Sequence, residues 1–494
     1  MRKLRLMLSA GAMLGLAAGA AYAENFPPNN PGSPASPTGV GMVTLPSGFS
    51  EVGSVYTGGM GLEGETASPA SVAAPGTVNM RVNLFAVGFG QVGSWTGMNG
   101  SGTGTSNKED PYGILGWMRI DMGIDGMTKG GVEYGAFAEI RENSAGTVSG
   151  LSAVSASSLS SGTSGLDSQN TLYVRHLWVY LGTPQLGILR IGQGASANGI
   201  LWVGGNDEFG FGGWVNSSTL SPSTVVPTWP WPDSGNEYMA QRLVYIAPLI
   251  AGFDGSISFA PNNDTGYSAS PCGATYTGCI SEASSDAAGD QPRYRNQIEI
   301  GLRYRNAFGP IGVAMSGIWT HSGVVGIAAG TVPTAHPVGI QRYNGQNIAM
   351  IGAEISINHS LAIGANTMFG AFNGSWGLQA QPSCYSAGVC DTTATTAVAW
   401  VAGARYTFLS LPLTVGGNYF NYKYQGQIGL PTQRTSQGIE LGADWGIGPG
   451  IALVAEYDWG QNYQGDYNFL AGTVGAANNK VTINQALLGA AVRF

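Results

Sequence analysis

Charged residues are scarce in this sequence. Only 10% of its 494 residues are Asp, Glu, Lys or Arg, whereas ordinary soluble domains hold roughly 25%. Aromatic residues make up 10% and the mean hydropathy is +0.05, which excludes a chain disordered by composition and also a stack of hydrophobic helices. A soluble protein of this length would cover its surface with many more charged side chains. Much of this surface therefore contacts something other than water.

Long apolar runs are also rare, and the one that exists lies at the start. A basic stretch is followed by an apolar run from Leu6 to Ala21 and an Ala-Tyr-Ala pattern ending at Ala23. This order is typical of a secretory signal peptide over residues 1–23, with a short uncleaved anchor as the alternative. No later run reaches about 18 apolar residues, which excludes a transmembrane helix. The removed segment holds three basic and no acidic residues, so the net charge falls from −8 to −11, which disfavours nucleic-acid binding.

Only four cysteines are present, as two close pairs, Cys272 with Cys279 and Cys384 with Cys390. Both pairs lie in polar stretches rich in Gly, Ser and Thr, and an exported chain meets oxidising conditions. We therefore expect two local disulfides, each closing a short loop with modest stabilisation. No histidine lies near either pair and neither spacing is Cys-x-x-Cys, so no metal site is expected.

Period-two alternation of apolar and polar residues is the strongest pattern in the chain, and segment 293–305 shows it most clearly. One face carries apolar and aromatic residues: Tyr294, Ile298, Ile300, Leu302 and Tyr304. The other face carries polar ones: Arg293, Arg295, Gln297, Glu299, Arg303 and Arg305. Such alternation predicts a strand with one apolar and one polar face. Many such segments of about 9–11 residues match the tilted span of a bilayer.

Sixteen segments qualify as strands. They lie at roughly 78–90, 111–122, 131–142, 170–181, 187–193, 239–247, 253–260, 293–306, 311–321, 347–357, 361–371, 397–408, 412–424, 436–446, 450–460 and 481–494. Seven short connections alternate with eight long ones, as an up-and-down barrel with both termini on one side requires. The sequence therefore predicts an all-β fold, a 16-stranded antiparallel transmembrane β-barrel over 78–494 with short periplasmic turns and long extracellular loops.

Hydrogen bonding dictates what such strands must do. Lipid offers no partner to the edge N–H and C=O groups, so the spanning strands must close into a ring. Sixteen strands leave an aqueous lumen, unlike the filled interior of an eight-stranded barrel. The pattern thus predicts a water-filled hole across a membrane.

Several stretches resemble the Gram-negative general porins. Tyr173–Gly182 followed by Gly187–Gln193 is similar to the strand–turn–strand signature of that family, although Gln193 stands where the family usually has Arg. Arg242–Pro248 is similar to the hairpin that follows the third loop of those porins, and Phe494 resembles their C-terminal aromatic residue. Gly252-Phe253 and Ala260-Pro261 continue the second match, and the motifs together span about 90 residues between Tyr173 and Pro261.

This resemblance implies a homotrimer in the outer membrane, inserted by the barrel-assembly machinery that reads Phe494. It also implies that the third loop, 194–238, folds inward and narrows the pore. The constriction candidates are basic residues on polar positions of the first five strands and acidic residues of that loop: Arg81, Arg119, Arg141, Arg175, Arg190, Asp207, Glu208, Asp233 and Glu237. A basic wall facing an acidic loop would orient dipolar solutes. Alternatively, each arginine is only solvated or braces a loop.

Other inward and outward positions follow from the same alternation. The late strands add acidic residues to the inner face: Glu440, Asp444, Glu456 and Asp458. Interface girdles are expected to include Trp178, Trp400, Trp445 and Trp459. Trp117 shares the phase of Arg119 and is expected to face inward. His176 lies on the phase opposite Arg175 and is expected to face lipid or a trimer partner. Selectivity stays open, with a lean to cations from the net charge.

Segment 24–77 does not fit the barrel. It holds eight prolines and many Gly and Ser residues without sustained alternation, which predicts an irregular segment. The topology places it on the periplasmic side, either as a tail or as a partial plug of the pore.

The function expected from this sequence is passive diffusion of small hydrophilic solutes and ions through an outer-membrane channel. A substrate-specific channel, for example for carbohydrates, is the alternative, because the third loop holds Trp202, Trp214, Trp229 and Trp231. A purely structural or adhesive barrel is a third possibility.

An enzyme is disfavoured, because the chain has only four histidines and contains neither a Gly-x-Ser-x-Gly nor an HExxH motif. No cofactor, metal or nucleic acid is expected, and the lipid of the outer membrane is the expected surroundings.

Overall fold

The structure is a computed structural model, and it describes most of the expected barrel. The described residues are 73–98, 111–143, 172–183, 185–204, 241–248, 250–262, 294–324, 346–358, 360–371, 384–385, 389–390, 397–408, 410–424, 426, 430, 432–448 and 450–493. In this part of the chain, no helix is both long and apolar enough to cross a membrane.

The described residues form sixteen antiparallel barrel strands. In chain order these are β1 (Thr77–Trp95), β2 (Tyr112–Met127), β3 (Glu133–Asn143), β4 (Leu172–Thr183), β5 (Gly187–Gln193), β6 (Gln241–Ile246), β7 (Phe253–Asn262), β8 (Tyr294–Phe308), β9 (Ile311–Val324), β10 (Asn347–Ile357), β11 (Leu361–Ala371), β12 (Ala397–Thr407), β13 (Leu413–Tyr424), β14 (Arg434–Gly448), β15 (Ile451–Tyr463) and β16 (Lys480–Arg493). Each overlaps a predicted segment, so the predicted strand order and number are confirmed.

The sheet closes on itself between its first and last strands. Each strand pairs with its sequence neighbours, and β1 pairs with β2 on one edge and with β16 on the other. Val87, for example, lies opposite Trp117 and also opposite Ala491. Closure leaves no strand edge without hydrogen-bonding partners, which is what a lipid environment demands. The predicted barrel is confirmed.

The connections alternate in length around the ring. At one end of the barrel, short turns join each even-numbered strand to the next strand, from β2–β3 to β14–β15. The turn from β8 to β9, for example, has only two residues between Phe308 and Ile311. The opposite end carries the long loops, including 194–240 between β5 and β6. The last residues before β1 lie at the short-turn end, because Gly76 N donates to Met127 O at 2.7 Å.

Apolar side chains cover the outside of the barrel. Exposed examples on the strands include Met80, Leu181, Leu302, Ile351 and Leu488. Exposed aromatic residues lie near both ends: Tyr112, Trp319, Trp400 and Tyr463 at the long-loop end, and Tyr134, Tyr406 and Trp445 at the short-turn end. An apolar band between two aromatic girdles is the outer surface of a membrane barrel.

The predicted orientation of two β4 residues is wrong. The β3–β4 register pairs Glu139 with His176 and Ile140 with Val174, so Arg175 is an extra residue in β4. Such a β-bulge shifts the phase of the following residues by one. His176 and Trp178 therefore face inward and are buried rather than facing lipid.

Two pairs of two-residue strands lie in long loops. Cys384–Tyr385 pairs with Val389–Cys390, and its register sets Cys384 opposite Cys390. Tyr467–Asn468 pairs with Thr473–Val474 between β15 and β16.

Candidate functional site: the barrel lumen

Polar side chains line the inner face of the barrel. In β7, Asp254, Ser256 and Ser258 are buried inside, while Phe253 and Ile257 are exposed outside. The pleat of a strand alternates side chains between the two faces, so one strand supplies both surfaces. A barrel of this strand number encloses an aqueous space, and the polar face is its wall.

The third loop begins by turning into this space. After β5, residues Ala197–Leu201 form a one-turn helix, α1, whose N-cap is Ser196. The Ser196 hydroxyl oxygen accepts a hydrogen bond from Gly199 N at 3.3 Å, which satisfies one donor of the helix start. Ile200 and Leu201 are fully buried against inward-facing side chains. The loop therefore lies inside the barrel at this point.

Inward-facing side chains of β7 and β8 hold the start of α1. The Glu299 carboxylate accepts a hydrogen bond from Asn198 N at 2.8 Å, and the Ser258 hydroxyl accepts one from Ala197 N at 3.2 Å. A carboxylate on the exposed N–H groups of a helix start is a charge-assisted contact. The first turn of the loop is thus bound to the barrel wall.

The other end of α1 is bound by Arg303. Its Nη1 donates to the carbonyl of Ile200 at 3.0 Å, and helix carbonyls at this end lack partners within the helix. Asp254 accepts hydrogen bonds from both Arg303 and Arg305. Asp254 thereby holds the Arg303 guanidinium in place, and Arg303 in turn holds the end of α1.

The loop continues across β10 and β11. Asn366 Nδ2 donates to Val203 O at 3.0 Å. The backbone of Val203 passes so close to Gly352 that an added Cβ there would overlap Val203 O and approach Asn366 Nδ2 to 2.6 Å. Glycine at 352 is therefore required for this approach. Residues 195–204 consequently cross the inner faces of five neighbouring strands, β7 to β11.

Arg190 braces the base of the same loop. This residue is buried and its Nη2 donates to Ala195 O. Its guanidinium carbon lies 4.9 Å from the ring centroid of Trp178, which stacks on Phe137 at 5.2 Å. Among the roles expected for the inward arginines, the geometry gives Arg190 the contact that braces the loop.

Carboxylates face inward on the strands that flank the barrel closure. Glu440 and Asp458 lie opposite each other on β14 and β15, and both are buried. Asn418 Nδ2 donates to Glu440 at 3.0 Å and Gln485 Nε2 donates to Asp458 at 2.9 Å. The predicted inward orientation of these late-strand residues is confirmed.

A second group of carboxylates lies on β2 and β3. Asp121, Asp125 and Glu139 are buried on the inner face. The Tyr180 hydroxyl donates to Asp125 at 2.5 Å, and His176 Nδ1 lies 2.7 Å from Glu139 Oε2. The inward shift of His176 thus gives it a carboxylate partner.

Several predicted site residues lie partly or wholly outside the described part of the chain. The strand register sets Arg119 opposite Arg141 and Arg81 opposite Gly123, and the bulge holds Arg175. For these four arginines the structure describes the backbone but not the side chain. Other predicted residues lie wholly outside the described part of the chain: Asp207, Glu208, Asp233, Glu237, Cys272, Cys279 and Phe494.

The residues that bind the loop were not assigned that role from the sequence. The alternation placed Glu299 and Arg303 on the inner face, but nothing in it linked them to the third loop. Asp254, Ser258 and Asn366 are likewise inner-face residues of their strands. The alternation of polar and apolar residues signals this inward orientation but not the contact with the loop.

Across the described ranges, no group of three or more His, Cys, Asp or Glu residues is arranged to hold a metal ion.

Comparison with known proteins assigns the family. The family model described as Gram-negative porin matches residues 10–466. The chain belongs to this porin family. The porin is therefore an outer-membrane channel protein, and the resemblance to porins is confirmed. Its long-loop end is extracellular and its short-turn end periplasmic, as in outer-membrane barrels generally.

Solved structures with low sequence identity resemble this porin. The outer-membrane channel DcaP of Acinetobacter baumannii is 12% identical, with a TM-score of 0.48 over 86% of this chain and 100% of that one. A loop L8 deletion mutant of OmpT from Vibrio cholerae is 11% identical, with a TM-score of 0.47 over 85% and 99%. An anion-selective porin from Comamonas acidovorans is 13% identical, with a TM-score of 0.44 over 84% and 100%. No curated protein sequence matches the chain.

Proposed function

We propose that this porin forms a water-filled channel for passive diffusion of small hydrophilic solutes and ions, narrowed by the third loop, 194–238. The observation that supports this most directly is the course of residues 195–204. They lie inside the barrel and are tied to its wall by Glu299, Arg303 and Asn366. A loop bound across the inner wall reduces the open cross-section of the channel.

The wall charges give this channel a preference for polar solutes. Buried charges of both signs line the wall: carboxylates lie on β2, β3, β7, β8, β10, β14 and β15, and arginines lie on β5, β6, β8, β12 and β14. A wall that carries both signs of charge favours dipolar solutes and disfavours apolar ones, which lose water without gaining partners. The predicted arginines of the first strands and the predicted acidic residues of the third loop complete the constriction.

The remaining assignments follow the family resemblance. We propose a homotrimer, cleavage of residues 1–23, insertion through the terminal Phe494, and disulfides within the two cysteine pairs. Segment 24–77 belongs to the periplasmic side, and Gly76 lies at that end of β1. Deleting 24–70 and recording conductance tests a plug, because an unchanged conductance would contradict it.

Reconstitution in a planar bilayer tests the main proposal. Purified protein is expected to produce stepwise current increases, in groups of three for a trimer, and a reversal potential under a salt gradient that reports ion preference. A lack of conductance from correctly folded protein would contradict the channel.

The same recordings separate a general channel from a carbohydrate channel. Added oligosaccharide is expected to cause no saturable block. Trp202 is buried in a cluster with Ile200 and Met350, so one of the four loop tryptophans contributes to packing. Saturable block that depends on sugar concentration would favour the specific channel instead.

A further inference from the structure

A second loop also reaches into the lumen. Between β15 and β16, residues 464–479 form a hairpin that we call the loop-8 hairpin. Its base is closed by a hydrogen bond from Gln464 N to Asn479 O at 3.0 Å. Within it, the Asn468 side chain accepts hydrogen bonds from Leu470 N and Ala471 N, each at 3.1 Å. The hairpin therefore has its own defined conformation.

The hairpin bends toward the barrel axis rather than away from it. Phe469, near its tip, is buried in the same cluster as Tyr424 and Ile483. Tyr424 lies on β13 and Ile483 on β16, and both are buried. Because the outward residues of these strands alternate with buried ones, the cluster lies on the inner wall of the barrel. Leu470 packs against the same cluster from the hairpin. The apolar tip is thus inserted into the extracellular end of the lumen.

Arg434, the first residue of β14, lies at the centre of this contact. Its guanidinium carbon is 4.5 Å from the ring centroid of Tyr467, 5.0 Å from that of Phe469 and 5.9 Å from that of Tyr424. The side chain is buried. A guanidinium that is removed from water gains most from aromatic faces, so the three rings and Arg434 stabilise one another. Two of the rings belong to the hairpin and one to the wall.

A hydrogen-bond chain fixes the same arginine at the hairpin base. Arg434 Nε donates to Gln464 Oε1 at 3.0 Å, and Gln464 Nε2 donates to Thr432 O at 3.0 Å. Gly426 lies against this pair, because a Cβ added there would be 2.5 Å from Gln464 Oε1 and 2.6 Å from Arg434 Cβ. Its φ of +70° also suits glycine.

We propose that the loop-8 hairpin is a second narrowing element at the extracellular mouth, held inward by Arg434. This inference rests on the proposed channel function. Arg434 is a positioning residue, because it contacts the hairpin and not the permeating solute. The third loop narrows the lumen from β5 across β7 to β11, whereas the loop-8 hairpin covers the side formed by β13 to β16.

Substitution of Arg434 tests the proposal. Arg434→Met keeps the aliphatic stem but removes the cation and the bond to Gln464. Lys480→Met removes one positive charge at an exposed position of the same end of the barrel and is the matched control. A third variant replaces 466–477 by a short glycine-rich turn. Single-channel conductance is expected to shift to higher values in Arg434→Met and in the shortened variant, and to stay at the wild-type value in Lys480→Met.

Proteolysis gives a readout that does not depend on conduction. Chymotrypsin followed by mass spectrometry is expected to find new cleavage after Tyr467, Phe469 or Leu470 in Arg434→Met, at protease levels where the wild type and Lys480→Met stay intact there. If Arg434→Met fails to fold, Gly426→Ala replaces it, because the added methyl group displaces the same pair.

The outcomes separate the two proposals. Unchanged conductance and unchanged cleavage in Arg434→Met would overturn the role of Arg434, and unchanged conductance in the shortened variant would overturn the second narrowing. A wild-type barrel that folds but does not conduct would overturn the channel function, whereas the cleavage experiment would still decide the position of the hairpin.

Discussion

Arg303 and Asp254 form a two-point ion pair across neighbouring strands of the inner wall. Nε of Arg303 lies 3.0 Å from Oδ1 of Asp254, and Nη2 lies 2.6 Å from Oδ2. The third nitrogen of the same guanidinium donates to the Ile200 carbonyl of α1. One side chain thus joins the barrel wall to the third loop, beside the contacts from Glu299 and Asn366.

Replacing Arg303 by Met is expected to release the start of the third loop and to raise single-channel conductance. The variant should still fold, because Arg305 Nη2 remains 2.8 Å from Asp254. The loss of stability should therefore be smaller than the roughly 3–5 kcal/mol that loss of a buried ion-pair partner usually costs. Arg303→Lys is the control for charge, because a lysine keeps the positive charge but cannot make the two-point contact with Asp254. Equal conductance in Arg303→Met and wild type would contradict this role.

Substitution of Gly352 tests the close approach of the loop to the wall. Gly352→Ala places a methyl group where Val203 O lies, so the loop must move away at a cost of about 1–3 kcal/mol. Altered conductance and a lower temperature of unfolding are expected. Gly317→Ala is the matched control on the adjacent strand, because an added Cβ there has no neighbour within 4 Å. A control that changes conductance as much as Gly352→Ala would count against the explanation.

The sequence predicted the barrel well because its information is local. The alternation of Ile298, Glu299, Ile300 and Leu302 reports the two faces of one strand without reference to any other strand. The loop contacts are different, because Asn198 and its partner Glu299 are 101 residues apart. No periodic pattern encodes such a pairing.

A single inserted residue explains the orientation that was predicted wrongly. The bulge at Arg175 leaves the composition of β4 unchanged but moves His176 and Trp178 to the inner face. Alternation on both sides of the bulge is regular, so the phase change is visible only when the register with β3 is known.

The outer face should tolerate charge poorly at mid-strand. Ile351 is 53% exposed near the middle of β10, and in the membrane that exposure is to lipid. Ile351→Arg is expected to lower stability by about 2–4 kcal/mol, as for basic residues at the bilayer midplane, while Ile351→Leu should stay near the wild type. Urea titration of the protein in lipid vesicles, followed by tryptophan fluorescence, measures the difference. Equal stabilities of the two variants would argue that this face is not in contact with lipid.

The Cys384–Cys390 pair should be a disulfide in the exported protein. The strand register sets the two residues directly opposite each other, and antiparallel pairs place their Cα atoms about 4.5–5.5 Å apart, within the range that a disulfide needs. Mass spectrometry of the unreduced digest should find one peptide link between them. Because the closed loop is short, replacing both by Ser should cost only about 2–2.5 kcal/mol and leave conductance unchanged. Free thiols at both positions in protein purified from the outer membrane would contradict the bond.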